Sequence, residues 1–203
     1  MAKLEFFFDV SSPWTYLAFH RIEAFADEAR AEIVWKPFLV GGVFNKVNPS
    51  VYQRRDNPVP AKDAYYQKDM ADWARYQGVE INWPSIFPVN SVKGMRACIA
   101  AAEQGKVEEF ALALCDAYWG RDQDIAQVDV IRAVSDQVGT DTDRIVERMG
   151  QQDVKDQLRD NTQAVMDRGG FGSPTIFLNK TDMYFGNDRV PLIAAALGLS
   201  TSL

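Results

Sequence analysis

The sequence predicts an α/β protein in which a four-stranded sheet is assembled from the two ends of the chain and a large helical block lies between them. Three observations carry that expectation. An apolar run at residues 4–8 (LEFFF) leads through a helix-spaced segment into a second strand-like run at 31–36 (AEIVWK). The stretch from about 61 to 168 has helical spacing for most of its length. Two short runs, 175–178 (TIFL) and 183–185 (MYF), then flank Asn179-Lys180-Thr181-Asp182, a hairpin signal.

Each element has a local cause. The first helix runs from 13 to about 28, with Tyr16, Leu17, Phe19, Ile22 and Phe25 on one face. Ser12 suits its N-cap and Pro13 its first helical position. Strand, helix and strand together form a β-α-β unit. Residues 41–60 (GGVFNKVNPSVYQRRDNPVP) are rich in Gly, Asn and Pro and read as a loop. Helices are expected at 61–77, 92–104, 106–119, 127–138, 141–149 and 151–168. Asn90-Ser91 and Asp141-Thr142 act as caps, and Gly78, Gly105, Gly139 and Gly150 as stops. A last helix spans 189–197 and ends at Gly198. Segments 1–45 and 170–203 are expected to form one domain, with 46–169 an inserted all-helical domain.

Composition narrows the functional classes. With 203 residues, 47% hydrophobic and 12% aromatic, the chain can bury a substantial core. Its net charge is -6, and no Lys/Arg run is interleaved with aromatics, so nucleic acid is not an expected partner. No window approaches a membrane span, and the first residues lack the pattern of a secretory leader, so a cytoplasmic location is expected. Cys98 and Cys115 lie far apart in Ala/Leu-rich helical stretches and read as core thiols. The single histidine, His20, leaves no room for a His-rich metal site and reads as structural.

The chemistry concentrates at residues 11–15. A strand running into a helix with Pro at its first position is how thiol-redox folds present a Cys-x-x-Cys pair. Here Ser12 and Thr15 hold the two cysteine positions. They cannot form a disulfide, so disulfide exchange is excluded. A thiol acting here must be supplied by a bound cofactor, and glutathione is the candidate. A cysteine-type thiol has a pKa near ~8.5, so only about 3% is thiolate at pH 7. Lowering it by two units takes roughly 2.7 kcal/mol of preference for the thiolate. A helix N-terminus and a hydroxyl donor at Ser12 can supply that much.

The motifs also carry a family likeness. FFFDVSSPWTYLAF, WKPFLVGGVF, VPAKDAY, WGRDQDIAQVDVI, FGSPTIFL and YFGNDR occur in order from residue 5 to 189. In that order they resemble the glutathione-dependent branch of DsbA-like thioredoxin folds: kappa-class glutathione transferases and 2-hydroxychromene-2-carboxylate isomerases. The resemblance implies a thioredoxin-like core with a DsbA-like helical insertion and glutathione as cofactor; a homodimer is expected only as the commonest oligomer. It also implies Ser12 as the catalytic group and a cis bond before Pro174, with Ser173 main-chain atoms pairing with the cysteinyl part of glutathione. Asn187 and Asp188 would hold the γ-glutamyl group, and Lys62 a carboxylate. The group places an Asn nine residues before that lysine. This chain has Gln53 there, with Asn48-Pro49 and Asn57-Pro58 on either side, and Asn48 is taken as the counterpart.

The implied reaction is cis-trans isomerisation of an aromatic carboxylate substrate by reversible thiolate addition. Lys62, Asn90 and Arg96 are candidates for its carboxylate, and Trp14 and Trp83 for its ring. The alternatives are a kappa-like transferase or peroxidase that consumes glutathione, and a non-catalytic binding module.

Overall fold

The computed structural model describes residues 1–199, so the expected last segment, 170–203, runs past its end. Four strands form one mixed sheet: β1 (Lys3–Phe8), β2 (Glu32–Pro37), β3 (Thr175–Leu178) and β4 (Asp182–Phe185), in the order β2-β1-β3-β4. β1 and β2 are parallel and joined by helix α1 (Pro13–Glu28); β3 runs antiparallel to β1 and to β4. The four strands fall where the sequence predicts them, to within one residue at each end.

Alternation along β1 sends Leu4, Phe6 and Phe8 to one face of the sheet and Phe7 to the other. The first face meets α1, where the Phe19 ring lies 5.4 Å from Phe6 and 5.1 Å from Phe8. The second face holds a smaller cluster of Phe7, Phe38, Val40, Val43, Val165 and Phe177. It is covered by α2 (Val40–Lys46) and α9 (Gln152–Asp167). Asn161 on α9 donates to Pro37 O at 2.9 Å, and Thr162 accepts from Leu39 N at 3.0 Å, which pins α9 to the end of β2.

Two expectations are corrected here. Residues 41–60 are not a loop: they contain α2 and α3 (Ser50–Asp56). Gly41 and Gly42 read as breakers, yet a Cβ on Gly42 would lie 3.2 Å from Thr162 Cγ2. Glycine there lets α2 approach α9, and the tertiary contact overrides the poor intrinsic propensity. The helix expected at 106–119 divides into α6 (Val107–Cys115) and a π-helical turn, Asp116–Gly120. The wider turn aims the Trp119 indole at Val10 O, 2.9 Å away, just past β1. Trp119 O accepts from Asn82 N at 2.7 Å, and Tyr118 OH donates to Ile86 O at 2.8 Å. The turn therefore ties the 82–86 segment to the tip of β1.

The remaining helices are α4 (Pro60–Gln77), α5 (Val92–Ala102), α7 (Val128–Val138), α8 (Thr142–Gly150) and α10 (Val190–Ala196). One apolar core runs from Leu4 and Phe6 through Met95, Cys98 and Trp119 to Leu158. Both cysteines are free and buried within it, and burial pushes both thiols up, so neither is a thiolate at neutral pH. Among the described residues, no helix is long and apolar enough to cross a membrane.

Where α6 meets α1, burial and then the neighbouring Glu23 carboxyl push half-buried Glu108 up to about 8. The folded chain thus holds a proton that the unfolded chain releases above about 4.5. Stability is lost as pH rises through the window from about 4.5 to about 8. Glu108→Gln removes that slope. After discounting for solvent screening, we expect about 1 kcal/mol of gain at pH 8.5, or a Tm about 2–4 °C above wild type, and no difference at pH 4. Parallel thermal melts check this.

Candidate active site

Beyond β1 the chain turns through Asp9, and Ser12 N donates to Asp9 O at 3.1 Å. Ser12 caps α1 in an extended conformation (φ -97°, ψ 123°), with Pro13 next and no acidic side chain in the first turn. Proline has no N–H, and Trp14 N–H has no acceptor among the described residues. The helix start therefore presents a free donor and its positive end beside the Ser12 hydroxyl.

The Ser12 hydroxyl is 9% exposed and donates to Ser173 O at 2.8 Å. Ser173-Pro174 is a cis bond, so the resemblance's implication for Pro174 holds. Thr15, at the second cysteine position, is fully buried, and its hydroxyl lies 2.7 Å from Ser173 Oγ. Ser173 Oγ also accepts from Asp9 N at 2.8 Å. Where a redox protein has two sulfurs, this chain has two hydroxyls tied to the residue before the cis proline. Ser173 is 5% exposed, and its N–H has no acceptor among the described residues. A buried, unpaired main-chain donor is a place where a peptide ligand can add a strand-like bond.

Asp9 lies beneath this site and is fully buried. Its Oδ1 accepts from Ser11 N (2.9 Å) and Ser11 Oγ (2.8 Å), and its Oδ2 from Val40 N (2.9 Å) and Ser91 Oγ (3.0 Å). Burial raises its pKa, while the bonds from Ser11, Val40 and Ser91 act against that rise. One carboxylate thus joins the turn before α1, the start of α2 and the residue before α5.

A cleft of about 870 Å³ opens above Ser12. Six of the residues singled out from sequence line it: Ser12, Trp14, Asn48, Trp83, Asn90 and Ser173. The Trp14 indole donates to Tyr66 OH at 3.1 Å. Asn48 donates to Phe171 O at 3.1 Å and accepts from Ser50 Oγ at 2.6 Å, so in this state its amide braces the cleft wall. Lys62 lies instead on an adjoining hollow of about 490 Å³, which it shares with Arg54. Arg96, Pro174, Asn187 and Asp188 are not part of the cleft lining.

Asn187 nevertheless sits close by. Gly186 N donates to Pro174 O at 3.2 Å, which sets the turn Asn187–Arg189 beside the cis proline. Asn187 is 4% exposed and its Nδ2 has no partner among the described residues. Asp188 pairs with Arg189 at 2.6 Å. Trp14 N, Ser173 N and Asn187 Nδ2 are thus three donors without a partner among the described residues, the first two on residues of the cleft lining and the third behind the cis proline.

Sequence reasoning gave no role to Asp9, Arg54, Arg55 or Tyr66. Asp9 follows an apolar strand directly, where an acid must be paired or exposed, and that was the one usable signal. The two arginines lie in the segment read as a loop, so no helical face was assigned to them.

The fold and this constellation define a thioredoxin-fold protein with hydroxyls in place of both active-site sulfurs. The chain belongs to the DSBA-like thioredoxin domain family, which matches residues 3–198. It is 28% identical over 207 residues to glutathione S-transferase kappa 2 of Caenorhabditis elegans, covering 94% of this chain and 89% of that protein. It is 25% identical over 194 residues to a 2-hydroxychromene-2-carboxylate isomerase of Sphingobium xenophagum, covering 96% and 97%. A solved 2-hydroxychromene-2-carboxylate isomerase superposes with a TM-score of 0.79 at 23% identity, covering 97% of this chain and 94% of that one.

Proposed function

We propose that this chain is a glutathione-dependent isomerase that converts 2-hydroxychromene-2-carboxylate to trans-o-hydroxybenzylidenepyruvate. One observation carries the reading: Ser12 and Thr15 occupy the two thiol positions, with the Ser12 hydroxyl at a helix start facing the residue before a cis proline. The hemiketal first opens, its ring C–O bond breaking to give a phenol and a conjugated ketone; bound glutathione would supply a soft thiolate able to add reversibly to that ketone's alkene, so that the former double bond can rotate before elimination returns the thiolate.

The chain's own residues prepare the site. Ser173 N–H and O are the main-chain pair available to a peptide. When the ligand's N–H occupies Ser173 O, the Ser12 hydroxyl is released to donate to sulfur. Trp14 N–H adds a second donor, and the positive end of α1 favours the anion. Asn187 suits the γ-glutamyl carboxylate. Thr15 is buried and locked to Ser173, so it holds the geometry and does not meet the substrate.

Calorimetric titration with glutathione, followed through the ultraviolet thiolate band, tests the reading. Binding with thiolate absorbance near pH 7, then turnover of the chromene acid with glutathione returned unchanged, is the expected result. The absence of glutathione binding would leave the non-catalytic module. The 28% identity to a kappa-class transferase supports a second reading, in which glutathione is consumed. Net loss of free thiol during turnover separates the two.

A further inference from the structure

We infer that Arg55 holds the carboxylate of the second substrate, which makes the outer cleft a site for a small aromatic monocarboxylate; this deepens the isomerase reading and rests on it for the role of the inner cleft. The residues lining the cleft include three charged side chains: Arg54, Arg55 and Asp63. Arg54 and Asp63 neutralise each other at 3.2 Å. Arg55 has no carboxylate partner among the described residues, so the cleft of a chain with net charge -6 keeps one uncompensated cation.

That cation is exposed and lies near two rings of the cleft wall. The Arg55 guanidinium carbon lies 5.2 Å from the Phe87 ring centroid and 5.9 Å from that of Tyr52. Contact with the rings uses none of the guanidinium N–H groups, so the fork is free for an anion, and a fork matches a carboxylate in two parallel bonds. The Phe87 ring is itself 4.7 Å from Trp83, whose indole is 54% exposed at the cleft rim. Asn90 accepts from Val92 N through Oδ1, so its amide N–H2 remains available on the same wall. Cation, amide and indole are thus grouped on the 83–90 side. The donors that fit glutathione belong to Trp14, Ser173 and Asn187 instead. The expectation that Lys62 or Arg96 takes this carboxylate gives way to Arg55, because neither of those residues lines the cleft.

The test is titration of wild type, Arg55→Gln and Arg55→Lys with trans-cinnamate, methyl trans-cinnamate and glutathione, the first two with and without saturating glutathione. Cinnamate binding should weaken about 10- to 100-fold in Arg55→Gln and less in Arg55→Lys, which keeps the charge and loses the fork. Methyl cinnamate and glutathione should bind all three proteins within about twofold. Equal loss of acid and ester, loss of glutathione affinity in place of cinnamate affinity, or no cinnamate binding to wild type would each overturn the assignment. A wild type that binds cinnamate but not glutathione would remove the isomerase reading and leave Arg55 as a carboxylate site.

Discussion

Ser12→Ala is expected to lower kcat/KM for the chromene acid by about 10²- to 10³-fold, the usual cost of removing one preorganised donor to a developing or resting anion. The thiol of bound glutathione should move part of the way back toward its ordinary pKa near ~8.5, by about one unit, because the helix end and the Trp14 N–H remain; the acid limb of the pH–rate profile moves up by the same amount. Ser12 is also the N-cap of α1, and losing that cap costs about 1 kcal/mol of stability on its own. Two further variants separate the roles. Ser12→Asp keeps an N-cap acceptor, and therefore most of the stability, but sets an anion against the thiolate, so turnover should be lost without a large fall in Tm. Ser12→Thr keeps both the hydroxyl donor and the cap and should retain most activity. If Ser12→Ala and Ser12→Thr turn over alike, the hydroxyl has no part in the chemistry.

Asp9→Ala is expected to be the most destabilising of these substitutions, by about 3–5 kcal/mol, which for a chain of this size lowers Tm by about 6–20 °C. It would leave two main-chain N–H groups unpaired, Val40 buried and Ser11 half-buried at the cleft. Asp9→Asn looks conservative but should still cost about 2 kcal/mol. Each carboxylate oxygen accepts one main-chain N–H, so an asparagine in either orientation turns its own NH2 toward one of them. The Ser11 and Ser91 hydroxyls can rotate to accept; a main-chain N–H cannot. Because burial raises the pKa of Asp9, the folded state favours its protonated form relative to the unfolded state. The contribution to stability therefore falls as pH rises from the ordinary aspartate value near 3.8 through the raised folded value. The Asn variant lacks that slope. Denaturant melts of both variants at two pH values check the ordering, and loss of glutathione binding in step with stability would show that Asp9 acts by holding Ser11, Val40 and Ser91 in register.

The strands were legible because their causes are local. LEFFF and TIFL are short apolar runs with turn residues beyond them, and the paired strands follow from those runs. Ser12-Pro13 announced the start of α1 for the same reason, since cap and first-turn preferences act within four residues. α2 was hidden because one of its two glycines, Gly42, is explained only by Thr162, 120 residues away in sequence. The π-helical turn was hidden because it is stabilised by bonds from Trp119 and Tyr118 to loops on other segments. The Ser12 and Thr15 pair and Ser173-Pro174 were readable as motifs. Which charged side chains line the cleft was not, since that depends on how α3 is set against Phe87 and against Tyr66 of α4.

The placement of the indoles has an optical consequence. The chain carries five tryptophans; Trp14 and Trp83 line the cleft, whereas Trp119 is sealed in the core. Emission from the first two responds to solvent and to a quencher such as iodide; emission from the third does not. The drop in the fraction of fluorescence that iodide can reach when a ligand binds is therefore an internal gauge of cleft occupancy, with no dye attached, read over the constant contribution of half-buried Trp35 and Trp73, which lie outside the cleft.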